Sequence, residues 1–286
     1  MTAARVVAAG AGRALVGALL LTGCSSTPQA GPPAAEGPAP SATMGFTQLI
    51  PREGTRHALL RVTNTGQGDL VVRSVALEWP GYPGGVPSPA DPTIPAGRTL
   101  DLQLELPDPA CDPVGEVPAV GVVETALGTV RAELEATGAT YLQRLWRTQC
   151  DVAMVEGAVA VSYSASWRVV GSGTDARALG DLVLRRREGG EPVVVTDADG
   201  SVLHGLRLPG PTALAAGEQL ARIPLEITPG NRCDEHARGQ ATAPFDFLAQ
   251  LRIGDHAPVA YAVEVPLSAM EAATAALDEA CRARAD

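Results

Sequence analysis

One pattern occurs twice in this chain and restricts the folds open to it. Leu100, Leu102, Leu104 and Leu106 alternate with Thr99, Asp101, Gln103 and Glu105. Period-two alternation of this kind marks a strand with one buried face and one wet face. Ala96-Gly97 precedes the run and Cys111-Asp112 follows it. Ile223, Leu225 and Ile227 repeat the alternation after Ala216-Gly217 and before Cys233-Asp234. Each copy is preceded by two strand-like runs and followed by a further hairpin pattern, a helical pattern and one more cysteine, Cys150 or Cys281. The reading is an internal duplication of order rather than of identity.

Short strands with frequent turn signals and long connections point to β-sandwiches. The expectation is a mainly β protein of two tandem Ig-like sandwiches, at 44–150 and 151–286, each closed by a short disulfide-linked helix. A single larger β-structure or another Greek-key barrel are the alternatives. In the first unit, runs at 59–63 and 70–79 flank Asn64-Thr65-Gly66-Gln67-Gly68-Asp69 and read as a hairpin, as do 117–125 and 129–135 across Gly128. In the second, 178–187 and 192–203 flank Glu188-Gly189-Gly190, and 245–253 with 258–265 form a hairpin across Gly254-Asp255. Residues 152–170 are expected to give the leading strands of the second unit. Thr140-Tyr141-Leu142-Gln143 and Ser268-Ala269-Met270-Glu271 have the form of capping boxes that open helices. Leu142, Trp146 and Cys150, and Leu277 with Cys281, then share helix faces.

The chain starts with Arg5 and Arg13, an apolar run over 14–21, and Leu21-Thr22-Gly23-Cys24. A basic start, a short apolar centre and small residues at its end make an export signal, too short for a spanning helix of ~20 residues. Leu-Thr-Gly-Cys resembles the lipobox of bacterial lipoproteins. That resemblance implies a signal at 1–23, lipidation of Cys24, and a partner in the membrane at its extracytoplasmic face. Residues 24–43, rich in Pro and Ala, then form a spacer that reaches up to roughly 60 Å at about 3.1 Å per residue. With Cys24 lipidated, Cys111, Cys150, Cys233 and Cys281 remain. An even number in an exported chain reads as disulfides. Of the three possible pairings, one bridge per unit is the simplest: Cys111–Cys150 and Cys233–Cys281.

Pro95-Ala96-Gly97, the Leu-alternating strand into Cys111-Asp112, and Asn231-Arg232-Cys233-Asp234-Glu235-His236 are similar to a group of secreted or lipid-anchored actinobacterial proteins. The resemblance implies location and architecture and brings no activity with it.

Composition narrows the chemistry. Formal net charge is −10, which argues against nucleic acid, whose binders need clustered positive charge. All 22 basic residues are arginine, so Schiff-base lysines, Ser-x-x-Lys sites and Walker loops are excluded. No cofactor and no metal site are expected. Cys233-Asp234-Glu235-His236 contains ligand types, but a disulfide cysteine followed by a solvated loop is the better reading. Asp197-Ala198-Asp199-Gly200 reads as a hairpin turn rather than a calcium loop. Arg185-Arg186-Arg187 reads as a solvated edge strand. The surface candidate for binding is the loop of Trp79 and Tyr82, set among Pro80, Gly81 and Pro83. Exposed aromatics suit interfaces, and the competing reading has Trp79 packed inward with Tyr82 over the sandwich end. The expected role is a non-catalytic binding or assembly module, with an envelope protein or a cell-wall polymer as partner. An envelope hydrolase with a site assembled in space and a metal-handling lipoprotein are the alternatives.

Overall fold

The computed structural model describes residues 39–52, 54–210 and 212–285. The signal, Cys24 and most of the spacer lie outside the described residues. The chain folds mainly as antiparallel sheets stacked in two Ig-like β-sandwiches, in the tandem order that the duplication predicts. No helix among the described residues is long and apolar enough to cross a membrane.

The first sandwich contains β1 (Ala42–Thr47), β2 (His57–Asn64), β3 (Leu70–Glu78), the two-residue β4 (Ser88–Pro89) and β5 (Thr93–Ile94), β6 (Thr99–Glu105), β7 (Val120–Thr125) and β8 (Gly128–Glu133). One sheet runs β1-β2-β6 and the other β4-β3-β7-β8, with β5 also on β3. Then comes α1 (Ala136–Ala158). The second sandwich contains β9 (Val159–Tyr163), β10 (Arg168–Val170), β11 (Arg177–Arg186), β12 (Val193–Asp199), β13 (His204–Arg207), β14 (Ala213–Leu214), β15 (Leu220–Pro229), α2 (Glu235–Gln240), β16 (Leu248–Ile253), β17 (Val259–Ala262) and α3 (Leu267–Ala285). Its sheets are β10-β11-β15-β13, with β9 also on β11, and β14-β12-β16-β17.

The two plans correspond pair by pair. β2 pairs β6 as β11 pairs β15; β3 pairs β7 as β12 pairs β16; β7 pairs β8 as β16 pairs β17. The short bridge of Ile94 to Leu70 has its counterpart in Leu214 with Val193. The Ala-Gly turns match in conformation as well, since Gly97 and Gly217 both adopt positive φ, 72° and 76°, a region that favours glycine.

Each sandwich buries facing alternations. Leu60, Val62, Leu102 and Leu104 meet Val72, Val75 and Val123 in the first core, and Leu182, Leu184 and Ile223 meet Val193, Val195 and Leu251 in the second. β2 and β3 are therefore not a hairpin. They lie in different sheets, and the chain crosses the core between them. The reason is Asn64, whose buried amide donates to Gly68 O and Ile94 O while its Oδ1 accepts from Gly66 N–H. These bonds close the connection locally and leave each strand free to bury its own apolar face. β11 and β12 likewise lie in different sheets. The other two hairpins, β7-β8 and β16-β17, form as expected.

The helices differ more from expectation. α1 starts at Ala136 rather than at Thr140, and it continues through Cys150 to Ala158. Gly138 permits this start, because a Cβ there would come 2.5 Å from Phe46 N. Leu142 and Leu145 join the first core and Val155 the second, so one helix serves both sandwiches. The expected leading strands are reduced to β9 and β10, and 152–158 are helical. Ser268 lies inside α3 and its hydroxyl donates to Ala165 O, so it docks the helix rather than capping it. Bridges join Cys111 to Cys150 and Cys233 to Cys281, one per unit. Each closes a loop of several tens of residues, worth about 2–4 kcal/mol.

Candidate functional site

The loop proposed from sequence is folded inward. Trp79 is 6% exposed and Tyr82 1%. Trp79 Nε1 donates to Val117 O at 3.0 Å, and its ring meets Trp146 edge-on at 5.7 Å. Gly81 lets the chain turn over that ring, since a Cβ there would come 2.1 Å from it. The Tyr82 hydroxyl donates to Gln149 Oε1 at 3.0 Å, and Gln149 Nε2 donates to Gly54 O and Thr55 O. Burial pushes the Tyr82 phenol up from its ordinary pKa. Trp146 Nε1 donates to Ala110 O, beside Cys111. The aromatics thus plug the end of the first sandwich and tie α1 to it. They cannot serve as an exposed recognition surface, because their area is already spent on packing. Tyr82→Phe keeps the packing and removes one hydroxyl bond. It should lower the unfolding free energy by about 1 kcal/mol in urea titration.

The remaining sequence candidates disperse. Cys233 is bridged to Cys281, and Asp234 caps α2 by accepting from Ala237 N–H at 2.7 Å. The Arg232 guanidinium and that N–H hold the Asp234 carboxyl below its usual range. Asp197-Ala198-Asp199 is not a turn. It is the end of β12, paired to Leu248, Ala249 and Gln250 of β16. Among the described residues no group of three or more His, Cys, Asp and Glu could hold a metal ion. Arg186 is not solvated either: β11 is flanked on both sides, and the Arg186 side chain is 8% exposed. Its guanidinium donates to Glu218 O, Glu191 O and Ala215 O at 2.7–2.9 Å. His204 is also buried, stacked on Phe245 at 5.2 Å.

What the fold leaves open is a cleft of about 300 Å³ on the first sandwich, at the ends of β2 and β6. Leu49, Leu59 and Pro89 supply apolar walls; Arg52, Gln103 and Glu105 supply the polar rim. Ile50, beside it in sequence, is 88% exposed. Along the same face His57 Nδ1 lies 3.2 Å from Glu105 Oε2, Arg56 bonds Asp108 at 2.7 Å, and Arg61 grips Asp101 with two bonds. The Arg61 hydrogen bonds hold the Asp101 carboxyl below its usual range. These pairs are exposed and add little stability; their effect is to neutralise the β6 face. A second, more polar cleft of about 640 Å³ lies between β12 and residues 206–209 with Thr212. The first cleft went unnoticed in the sequence because its walls come from three separated segments.

No family model matches the chain, and no curated protein matches it. Among solved structures it is similar to a biofilm associated protein, BSP domain, at 10% identity and a TM-score of 0.23, over 77% of this chain and 57% of that one. It is also similar to the secreted serine protease VesC from Vibrio cholerae, at 11% identity and a TM-score of 0.18, over 77% of this chain and 50% of that one. The chain thus spans 57% of the length of the one structure and 50% of the other, and likenesses this low bear on no activity.

Proposed function

We propose that this chain is a lipid-anchored, extracytoplasmic binding or assembly module of the cell envelope. The observation that carries the location is the pair of disulfides, one in each sandwich. Such bonds persist in oxidising compartments outside the cytoplasm. Leu21-Thr22-Gly23-Cys24 supports attachment through Cys24, with more than one acyl chain needed for a stable hold. The binding role is supported by the open β2/β6 cleft on the first sandwich. The aromatics and Arg186 are used internally, while the β2/β6 cleft keeps apolar walls beside a neutralised polar face.

Cys24→Ala tests the anchor. The wild-type chain should sediment with membranes and incorporate labelled palmitate. The variant should do neither, while both disulfides remain resistant to thiol alkylation. A variant that still sediments and still labels would refute the anchor.

A further inference from the structure

The duplication provides an internal comparison that singles out one strand. The ends of the β2–β6 ladder fix which way each peptide group points. Leu106 N–H donates to Arg56 O and Asn64 N–H donates to Arg98 O. Even-numbered residues of β6 therefore bond β2, and Thr99, Asp101, Gln103 and Glu105 turn their N–H and C=O outward. β6 is the terminal strand of its sheet. Glu105 N–H is covered by Ser88 Oγ at 3.3 Å. The outward N–H groups of Thr99, Asp101 and Gln103 have no protein partner among the described residues.

The second sandwich closes the same edge. Arg186 N–H donates to Gln219 O, so Leu220, Arg222, Pro224 and Glu226 of β15 face outward. β13 covers β15 from Glu226 onward, and Pro224 has no N–H to offer. Pro224 and Gln103 occupy matching places, five residues after Gln219 and Arg98. Proline on an edge blocks strand addition. One copy of the unit is blunted at this position and the other is not.

We infer that the β6 edge accepts an extended peptide segment of another protein as an added strand, with acidic residues at the ends of that segment. This rests on the binding-module reading and gives the partner its chemistry. Main-chain pairing to Thr99, Asp101 and Gln103 supplies the affinity, and an apolar side chain enters the cleft between Leu49, Leu59 and Pro89. The acidic preference comes from charge. Arg98 precedes β6 and Arg52 lines the cleft at its other end, and neither has a carboxylate partner among the described residues. On the strip between them, Arg56 and Arg61 are already matched by Asp108, Glu105 and Asp101.

The probe is a fluorescent, end-blocked hexapeptide, Glu-Val-Thr-Val-Thr-Glu, titrated against the full-length chain in detergent. A second peptide carries Lys in place of both Glu residues. Gln103→Pro copies what the second sandwich already tolerates at this place, so its melting temperature should stay near that of the wild type. The Glu-ended peptide should bind the wild type, bind Gln103→Pro about tenfold more weakly, and lose affinity in high salt. Failure of that peptide to bind, equal binding by Gln103→Pro, or equal binding of the Lys-ended peptide would each overturn the inference.

A photo-crosslinker in place of Gln103, or of Arg207 at the second cleft, separates this inference from the broader one in intact envelope. Adducts at 103 with a different protein support it. Adducts at 103 with a second copy of this chain overturn the stated partner. Adducts at 207 alone overturn the β6 site and keep the binding module; adducts at neither position overturn both.

Discussion

Arg186→Ala should lower the unfolding free energy by about 4 kcal/mol and the melting temperature by about 10 °C. The side chain holds three backbone carbonyls, Glu191 O, Ala215 O and Glu218 O, from two separate segments of the second sandwich. Hydrogen bonds to a charged donor are worth about 1.5–3 kcal/mol each. Truncation loses all three, although water reaching the 215–218 turn offsets part of the loss. Among the described residues no carboxylate is hydrogen-bonded to the buried guanidinium, and three carbonyl dipoles stabilise its charge. Arg186→Lys tests the geometry: a single ammonium cannot reproduce a planar fork aimed at three acceptors, and it should recover less than half of the loss. Arg185→Ala, one residue away and facing solvent, should change stability by no more than about 0.5 kcal/mol. Equal effects at 185 and 186 in urea titration would show that the clamp contributes nothing specific.

Asn64 is the counterpart of Arg186 in the first sandwich. Each ends the central strand of its sheet, and each holds a carbonyl just before the Ala-Gly turn, Ile94 O within β5 in one case and Ala215 O directly after β14 in the other. This correspondence marks where sequence reasoning stops. The alternating strands, the Ala-Gly turns, the two late hairpins and the cysteine pairing follow from period and order, because those signals are local. The sheet to which β3 belongs depends on what satisfies the turn before it, and a buried Asn or Arg side chain does that through residues thirty positions away. Three consecutive arginines look solvated in sequence, yet strand alternation sends the middle one inward, and only the flanking strands determine whether inward means buried. Trp79 and Tyr82 show the same limit. A Pro/Gly loop with two aromatics is compatible with exposure until α1 supplies Trp146 and Gln149 as partners. The extent of α1 was hidden for another reason, since 152–158 is a short apolar run that fits a strand as well as a helix.

Acid should destabilise this protein through His204 before its carboxylates titrate in full. The ring is 2% exposed, stacked on Phe245 and edge-on to Phe247 at 6.2 Å. Its Nδ1 has no hydrogen-bond partner among the described residues. A charged imidazolium there would lose its hydration without compensation, so burial holds the His204 pKa down to about 4 from the ordinary 6.5. The unfolded chain therefore binds the proton first. The stabilisation from a neutral His204 is complete above about pH 6.5 and is lost as pH falls toward 4, in total about 3 kcal/mol. The strain falls on the segment that carries Phe245 and Phe247, which Ser201 Oγ fastens to the start of β13 by donating to Pro244 O at 2.7 Å. Urea titrations at intervals from pH 8 to 4 measure the slope. His204→Phe keeps an aromatic ring in the stack and removes the titrating group, and should flatten the curve in that window. If both proteins lose stability in parallel, protonation elsewhere drives acid unfolding and the buried ring is only packing. If the variant is flat and the wild type falls, this one unpartnered nitrogen sets the acid limit of the second sandwich.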